Sequence, residues 1–188
     1  MNKSPMVVLS VVLALAGCSN PEKTGRYLID APESQANVPN RLGRVEIRDV
    51  SLPRYASSQE ITYQTDDGAL RSTPDNIWAD DPVRGVTLFL AREITSQSGA
   101  QAIAEPWPFP DRPDRRVEIR IERMLAQANG QFALSGTYYI YSGDSRNGGG
   151  IVRRFDLTEP VLAAGPAEIA AAQSRALQRL AGQIAVVG

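Results

Sequence analysis

The sequence predicts an α+β domain, an antiparallel sheet of about six strands with two helices packed on one face, and three observations predict it. Residues 117–125 are read as alternating apolar and polar with a period of two, the β-branched and aromatic segments 132–141 and 151–157 follow as strands, and Asn129-Gly130 and a glycine-rich stretch at 147–150 separate the three, which is the pattern of a three-stranded meander. Two other segments carry apolar residues at three- and four-residue steps, Val83, Val86, Leu90 and Ile94 in one and Ile169, Ala172, Ala176, Leu177, Leu180 and Ile184 in the other, as amphipathic helices do. The order of strands, helix, meander and helix shows no internal repeat and no second domain.

In chain order, Lys3 and an apolar run from Met6 to Ala16 come first; the run has the length of a signal-peptide core and is too short to span a bilayer. Leu15-Ala16-Gly17-Cys18 closes it in the form of a lipobox. Residues 1–17 are therefore expected to be a lipoprotein signal peptide cut after Gly17, with an N-acyl diacylglycerol on Cys18. An ordinary secretory signal with a fortuitous cysteine and an N-terminal anchor helix compete with this reading. Small residues at the two positions before Cys18 and the polar Ser-Asn-Pro after it favour the lipobox. At about 0.8 kcal/mol per buried methylene, and with stable attachment needing two signals, a triacylated Cys18 holds the chain to a membrane without a transmembrane helix. Ser19, rather than Asp, points to the outer membrane by analogy with lipoprotein sorting in enteric bacteria. Residues 18–25 then form a lipidated tether and residues 26–188 a single domain.

Within that domain, 26–30 is a short strand, 31–41 a loop, and 43–50 a strand with one wet face that ends before Pro53. Asp67-Gly68 joins residues 61–64 to 69–71 as a tight hairpin, since glycine accepts the positive φ that such a turn needs. Asp80-Asp81-Pro82 starts the first helix with a carboxylate cap and a proline whose missing N–H costs nothing there, and Ser98-Gly99 ends it. Three prolines make 106–110 a stiff loop. The last helix starts at Gly165-Pro166.

The 188 residues carry a net charge of −1 and one cysteine, which leaves nothing to attract nucleic acid and excludes a disulfide framework once the anchor takes Cys18. Histidine is absent, and the only lysines are Lys3 and Lys23. A serine or cysteine nucleophile is usually activated by His or Lys, and zinc is held mainly by Cys and His. Carboxylates are plentiful, but no spacing singles out a catalytic pair. The chain is read as a binding or assembly component, not an enzyme, with no metal and no cofactor beyond the covalent lipid.

Several features together carry a family resemblance: the lipobox, Tyr27-Leu28 before Pro32, residues 45–52 followed by Pro53 and Tyr55, Ile77-Trp78-Ala79-Asp80-Asp81-Pro82 opening a helix, Arg153-Arg154-Phe155, and a terminal helix with Ala171, Ser174, Ala176-Leu177 and Leu180-Ala181. In their order and spacing the chain resembles the ABC-type transport auxiliary lipoproteins, the PqiC-like family that accompanies MCE-domain lipid transport systems of the Gram-negative envelope. It departs at 56–58, where Ala-Ser-Ser stands for a leucine and a basic residue, and at Asp81, where Glu is more usual. The resemblance implies a periplasm-facing, outer-membrane lipoprotein that binds and tethers a periplasm-spanning MCE protein and helps phospholipid pass between membranes. The alternative is a stand-alone envelope lipoprotein that carries a lipid or acyl chain in its own cavity, and a purely structural lipoprotein is a third reading.

Five residues are candidates for partner binding. Trp78 either staples the first turn of the helix that follows or, with Tyr55, forms an exposed aromatic pair at an interface. Trp107 and Phe109, in the proline-rich loop, either touch lipid or partner or cover a sheet edge. Arg54, like Arg71, Arg115 and Arg116, either meets lipid phosphates or acidic groups through its guanidinium or stays solvated. Tyr138 is expected on one face of its strand and Tyr139 and Tyr141 on the other.

Overall fold

The computed structural model describes residues 23–30, 38–144 and 149–187. The expected signal peptide and Cys18 lie outside the described residues. The elements in order are β1 (Gly25–Tyr27), β2 (Arg44–Ile47), β3 (Tyr63–Gln64), β4 (Leu70–Arg71), β5 (Asn76–Trp78), α1 (Pro82–Ser98), β6 (Gln101–Ala104), β7 (Arg115–Ala126), β8 (Gln131–Ser142), β9 (Gly150–Pro160) and α2 (Pro166–Val187). The fold is α+β, with both helices on one face of the main sheet.

The main sheet has seven strands, while β1 and β5 form a separate parallel pair. It is mixed, where the alternation suggested an antiparallel one. β7, β8 and β9 are the expected antiparallel meander, but β2 runs parallel to both β6 and β7, and β3 runs parallel to the end of β7. The cause is the connection: β2 reaches β6 by way of α1, and a helical crossover brings the chain back in the same direction.

β7 carries one further departure from strict alternation. Its register against β8 shifts between Ile121 and Arg123, so Glu122 is an extra residue, a β-bulge. The bulge re-phases the strand: Val117, Ile119 and Ile121 face the helices before it, and Met124 and Ala126 do so after it. Gly136 sits opposite. A Cβ there would lie 2.1 Å from the Arg120 carbonyl oxygen and 2.9 Å from the Phe155 ring, so only glycine lets β7, β8 and β9 close at this level.

The first helix, α1, begins and ends where local chemistry says it should. Asp81 accepts the Arg84 N–H at 2.9 Å, Pro82 follows it, and Gly99, at φ 67°, donates its N–H to the Thr95 carbonyl at 2.8 Å. Val86, Phe89, Leu90 and Ile94 of α1 and Leu177, Leu180 and Ile184 of α2 are buried on the sheet. Between the helices, Gln97 and Gln178 donate to the buried Glu93 carboxylate at 3.4 and 3.2 Å. A Cβ on Gly182 would lie 2.8 Å from the Gln97 amide oxygen, so this glycine sets how closely the two helices approach. Tyr138 is buried among them, and Tyr139 faces the other way under the Arg120 guanidinium, 5.0 Å from it.

Gly136→Ala is expected to destabilise the domain by about 1–3 kcal/mol through forced strand displacement. At roughly 2–4 °C per kcal/mol for a domain of this size, calorimetry should find Tm lowered by several degrees. An unchanged Tm would contradict the packing described.

Candidate functional site

The domain has two dissimilar ends, set by the length of β7. At the end of β7 near Ala126, a half-open groove of about 650 Å³ lies between the β3–β4 hairpin, the β7–β8 turn and the segment joining β9 to α2. Ile61, Ala126 and Ile169 are its buried floor, and Tyr63 and Val161 line its sides. Asp66, Ala128, Ala163 and Ala164 form an exposed lip. Leu162, 73% exposed, adjoins the lip, and Leu70, 44% exposed, pairs with Gln64 in the wall.

Local chemistry shapes this groove. The β3–β4 turn needs Gly68 at φ 80°, and the Asp67 carboxylate holds it by accepting from the Ala69 N–H at 3.1 Å and from the Thr65 hydroxyl at 2.5 Å. Those two hydrogen bonds, Thr65 first, and the Arg71 guanidinium keep the Asp67 carboxyl below its usual range. Val161 N–H donates to the Gly130 carbonyl at 2.9 Å, which ties the strand exit to the β7–β8 turn. The domain's N-terminus meets the same place: Gly25 pairs with Asn76, a groove residue, and its N–H donates to the Asp75 carbonyl at 2.7 Å.

The opposite end carries the proline-rich loop between β6 and β7, in which the Glu105–Pro106 bond is cis. Glu46, 7% exposed, pins the loop to the sheet: one carboxylate oxygen accepts the Trp107 N–H at 3.0 Å and the other the Arg116 Nε–H at 2.6 Å. Glu105 accepts the Asp49 N–H at 2.8 Å and pairs with Arg48 at 3.1 Å. The Trp107 indole donates to the Asp111 carbonyl at 2.6 Å, and Phe109 stands edge-on to it with ring centres 5.3 Å apart. Arg44 pairs with the Asp111 carboxylate; that hydrogen bond, reinforced by charge attraction, holds the carboxyl below its usual range. Ten residues of β7 separate Arg116 from Ala126, which at ~3.3 Å per residue puts the loop roughly 30 Å from the groove.

The structure brings Trp107 and Phe109 together as a partly exposed pair, with Phe109 43% exposed. It also brings Tyr55 and Trp78 together, but inward. Trp78 is 5% exposed, and β5 lies between β1 and the bridge at Glu60, which turns the indole into the core. Tyr55 is half-buried, and its hydroxyl accepts the Met124 N–H at 3.3 Å. Both line a crevice of about 10 Å³ where the Gln173 amide nitrogen is buried without a hydrogen-bond partner. This burial replaces the exposed aromatic pair with a packing role for Trp78. Arg54 is exposed, and Cys18 lies outside the described residues. The groove was absent from the sequence reading; the exposed Leu162 before Ala163-Ala164-Gly165-Pro166, an apolar loop where a polar one is usual, was its one local signal.

Fold and site together define an α+β fold with a seven-stranded mixed sheet and a small parallel pair, a groove beside β1 and an aromatic loop at the far end. The family model for the ABC-type transport auxiliary lipoprotein component matches residues 27–185, and the chain belongs to that family. No curated protein matches it in sequence. Solved structures that share the fold include an uncharacterized protein (TM-score 0.65, 19% identity, 81% of this chain and 97% of that one). Protein XCC0632 from Xanthomonas campestris, of the DUF330 family, is another (TM-score 0.61, 18% identity, 82% and 91%). Identities this low testify to architecture alone. Among the described residues no group of three or more His, Cys, Asp or Glu side chains is placed to hold a metal, and no helix is long and apolar enough to cross a membrane.

Glu46→Ala is expected to cost about 1–3 kcal/mol by stranding Arg116 and the Trp107 N–H, and to release the loop. In a Trp78→Phe background, where Trp107 is the only indole, its emission should shift to the red; unchanged emission would mean the loop is held by other contacts. A carboxyl held below its usual range stabilises the fold above the unfolded-state pKa, about 3.9 for Asp, and loses that contribution as pH falls through the lower folded value. Melts of the wild type and Asp111→Asn should therefore differ at neutral pH and converge progressively below about pH 4.

Proposed function

We propose that this chain is an outer-membrane lipoprotein subunit of an MCE-type intermembrane lipid transport system, held by an acylated Cys18 and acting by contact rather than by catalysis. Membership of a transport auxiliary lipoprotein family over residues 27–185 is the observation that carries the proposal. The layout of the domain supports a division of labour. The tether enters beside the groove, so that end faces the membrane, and the loop bearing Trp107 and Phe109 projects roughly 30 Å away into the periplasm, as ten residues of strand dictate. A partly exposed Trp–Phe pair on a pinned loop suits a protein partner, because rigid aromatic groups lose little conformational freedom on binding and dominate interface energetics. Binding without chemistry agrees with a chain that has no histidine and whose only lysines are Lys3 and Lys23.

A photoreactive amino acid at Phe109, crosslinked in intact envelopes, should capture an MCE-domain protein, and the same group at Glu168 on α2 should not. Trp107→Ala should weaken that complex by at least about tenfold, near 1.4 kcal/mol, while leaving Tm within a few degrees. Crosslinks at Phe109 that never include an MCE-domain protein would overturn the proposal.

A further inference from the structure

We infer that the groove beside the tether takes one acyl chain of a phospholipid from the leaflet in which the chain is anchored. This rests on the proposed acylation of Cys18 but not on the identity of the protein partner.

Size and chemistry select the ligand. The groove's volume, about 650 Å³, falls within the ~300–1,000 Å³ of small-molecule sites. Its floor of Ile61, Ala126 and Ile169 offers hydrocarbon contact. Among the described residues Asp66 on the lip is the only charged one that lines it, beside the uncharged Gln64, Thr65, Thr73, Asn76 and Gln127, so the lining offers no cation to hold a phosphate, and what it accepts is the tail of a lipid. The exposed Leu162 and Leu70 beside it extend the apolar surface outward, where water gives them no partner and a bilayer surface would.

Position selects the source. Gly25 pairs with the groove residue Asn76, and the seven residues back to Cys18 reach at most ~25 Å when fully extended. An acylated Cys18 therefore keeps the groove within one tether length of the bilayer. The lip lies between two short turns, closed by Gly68 and Gly165, and a chain entering there would leave its headgroup at the water boundary. The groove would thus shelter a lipid tail on the membrane side of the domain, while the aromatic loop engages protein on the other.

The test uses the acylated full-length protein in vesicles of phosphatidylethanolamine and phosphatidylglycerol that contain phosphatidylglycerol with a photoreactive group near the end of one acyl chain. Peptide mapping should place adducts on the segments around Ile61, Ala126 and Ile169. Ala164→Trp, a change on the exposed lip that leaves the core untouched, should abolish them without altering the melting temperature. Absence of groove adducts, or their persistence in Ala164→Trp, would overturn the inference. So would groove labelling that occurs only in Cys18→Ser, since the protein's own anchor would then be the occupant. The vesicles contain no other protein, so failure here leaves the Phe109 crosslink unaffected, and loss of that crosslink leaves groove labelling unaffected.

Discussion

Hydrogen bonding along both edges of β7 is the constraint from which the rest of the molecule follows. One edge pairs with β8 over nearly its whole length, and the other is shared by β2 at its start and β3 at its end. A twelve-residue strand held on both sides keeps its two ends at a fixed distance. Whatever is attached near Arg116 and whatever is attached near Ala126 must therefore act at separate places. The bulge at Glu122 and the missing side chain at Gly136 let this strand stay paired while its apolar residues keep facing α1 and α2.

The two ends are built in opposite ways. At the Arg116 end, a buried carboxylate gathers a backbone N–H and a guanidinium, and a second carboxylate repeats the arrangement at Asp49 and Arg48. Charge-assisted hydrogen bonds of this kind are strong and directional, and they fix a loop whose prolines cannot join a sheet. At the Ala126 end, short turns leave a largely apolar groove, with Gln64, Thr65 and Asn76 in its lining, that no side chain fills. A pinned aromatic surface suits recognition of a shaped partner, and an unfilled apolar groove suits a flexible hydrocarbon.

Much of the scaffold was legible in the residues. The meander followed from alternation and from Asn129-Gly130, and the limits of α1 followed from Asp81, Pro82 and Gly99, because these are local effects of backbone geometry. Strand direction was not legible: alternation has the same period in parallel and antiparallel pairs, so β2 gave no sign that both its neighbours run with it. β5 and β6, of three and four residues, exist because tertiary neighbours pair with them, and neither has a pattern long enough to see. The phase change at Glu122 did have a local mark, two polar residues in succession at Glu122-Arg123 and two apolar ones at Met124-Leu125, which strict alternation over 117–125 passes over. Trp107 and Phe109 stood out by their place among prolines and are indeed together, whereas Trp78 looked alike as a staple or a docking group until its strand turned it inward. The groove draws its floor from residues 61, 126 and 169, and no local window contains such a site.

The proposed opposition of the two ends at the membrane is tested most directly by depth. A fluorophore at Leu162 and, separately, at Phe109 of the acylated protein on vesicles can be exposed to a quencher carried by the lipid. Strong quenching at Leu162 with little at Phe109 is the result expected of a domain that stands on its groove end. Equal quenching at both positions, or stronger quenching at Phe109, would contradict it.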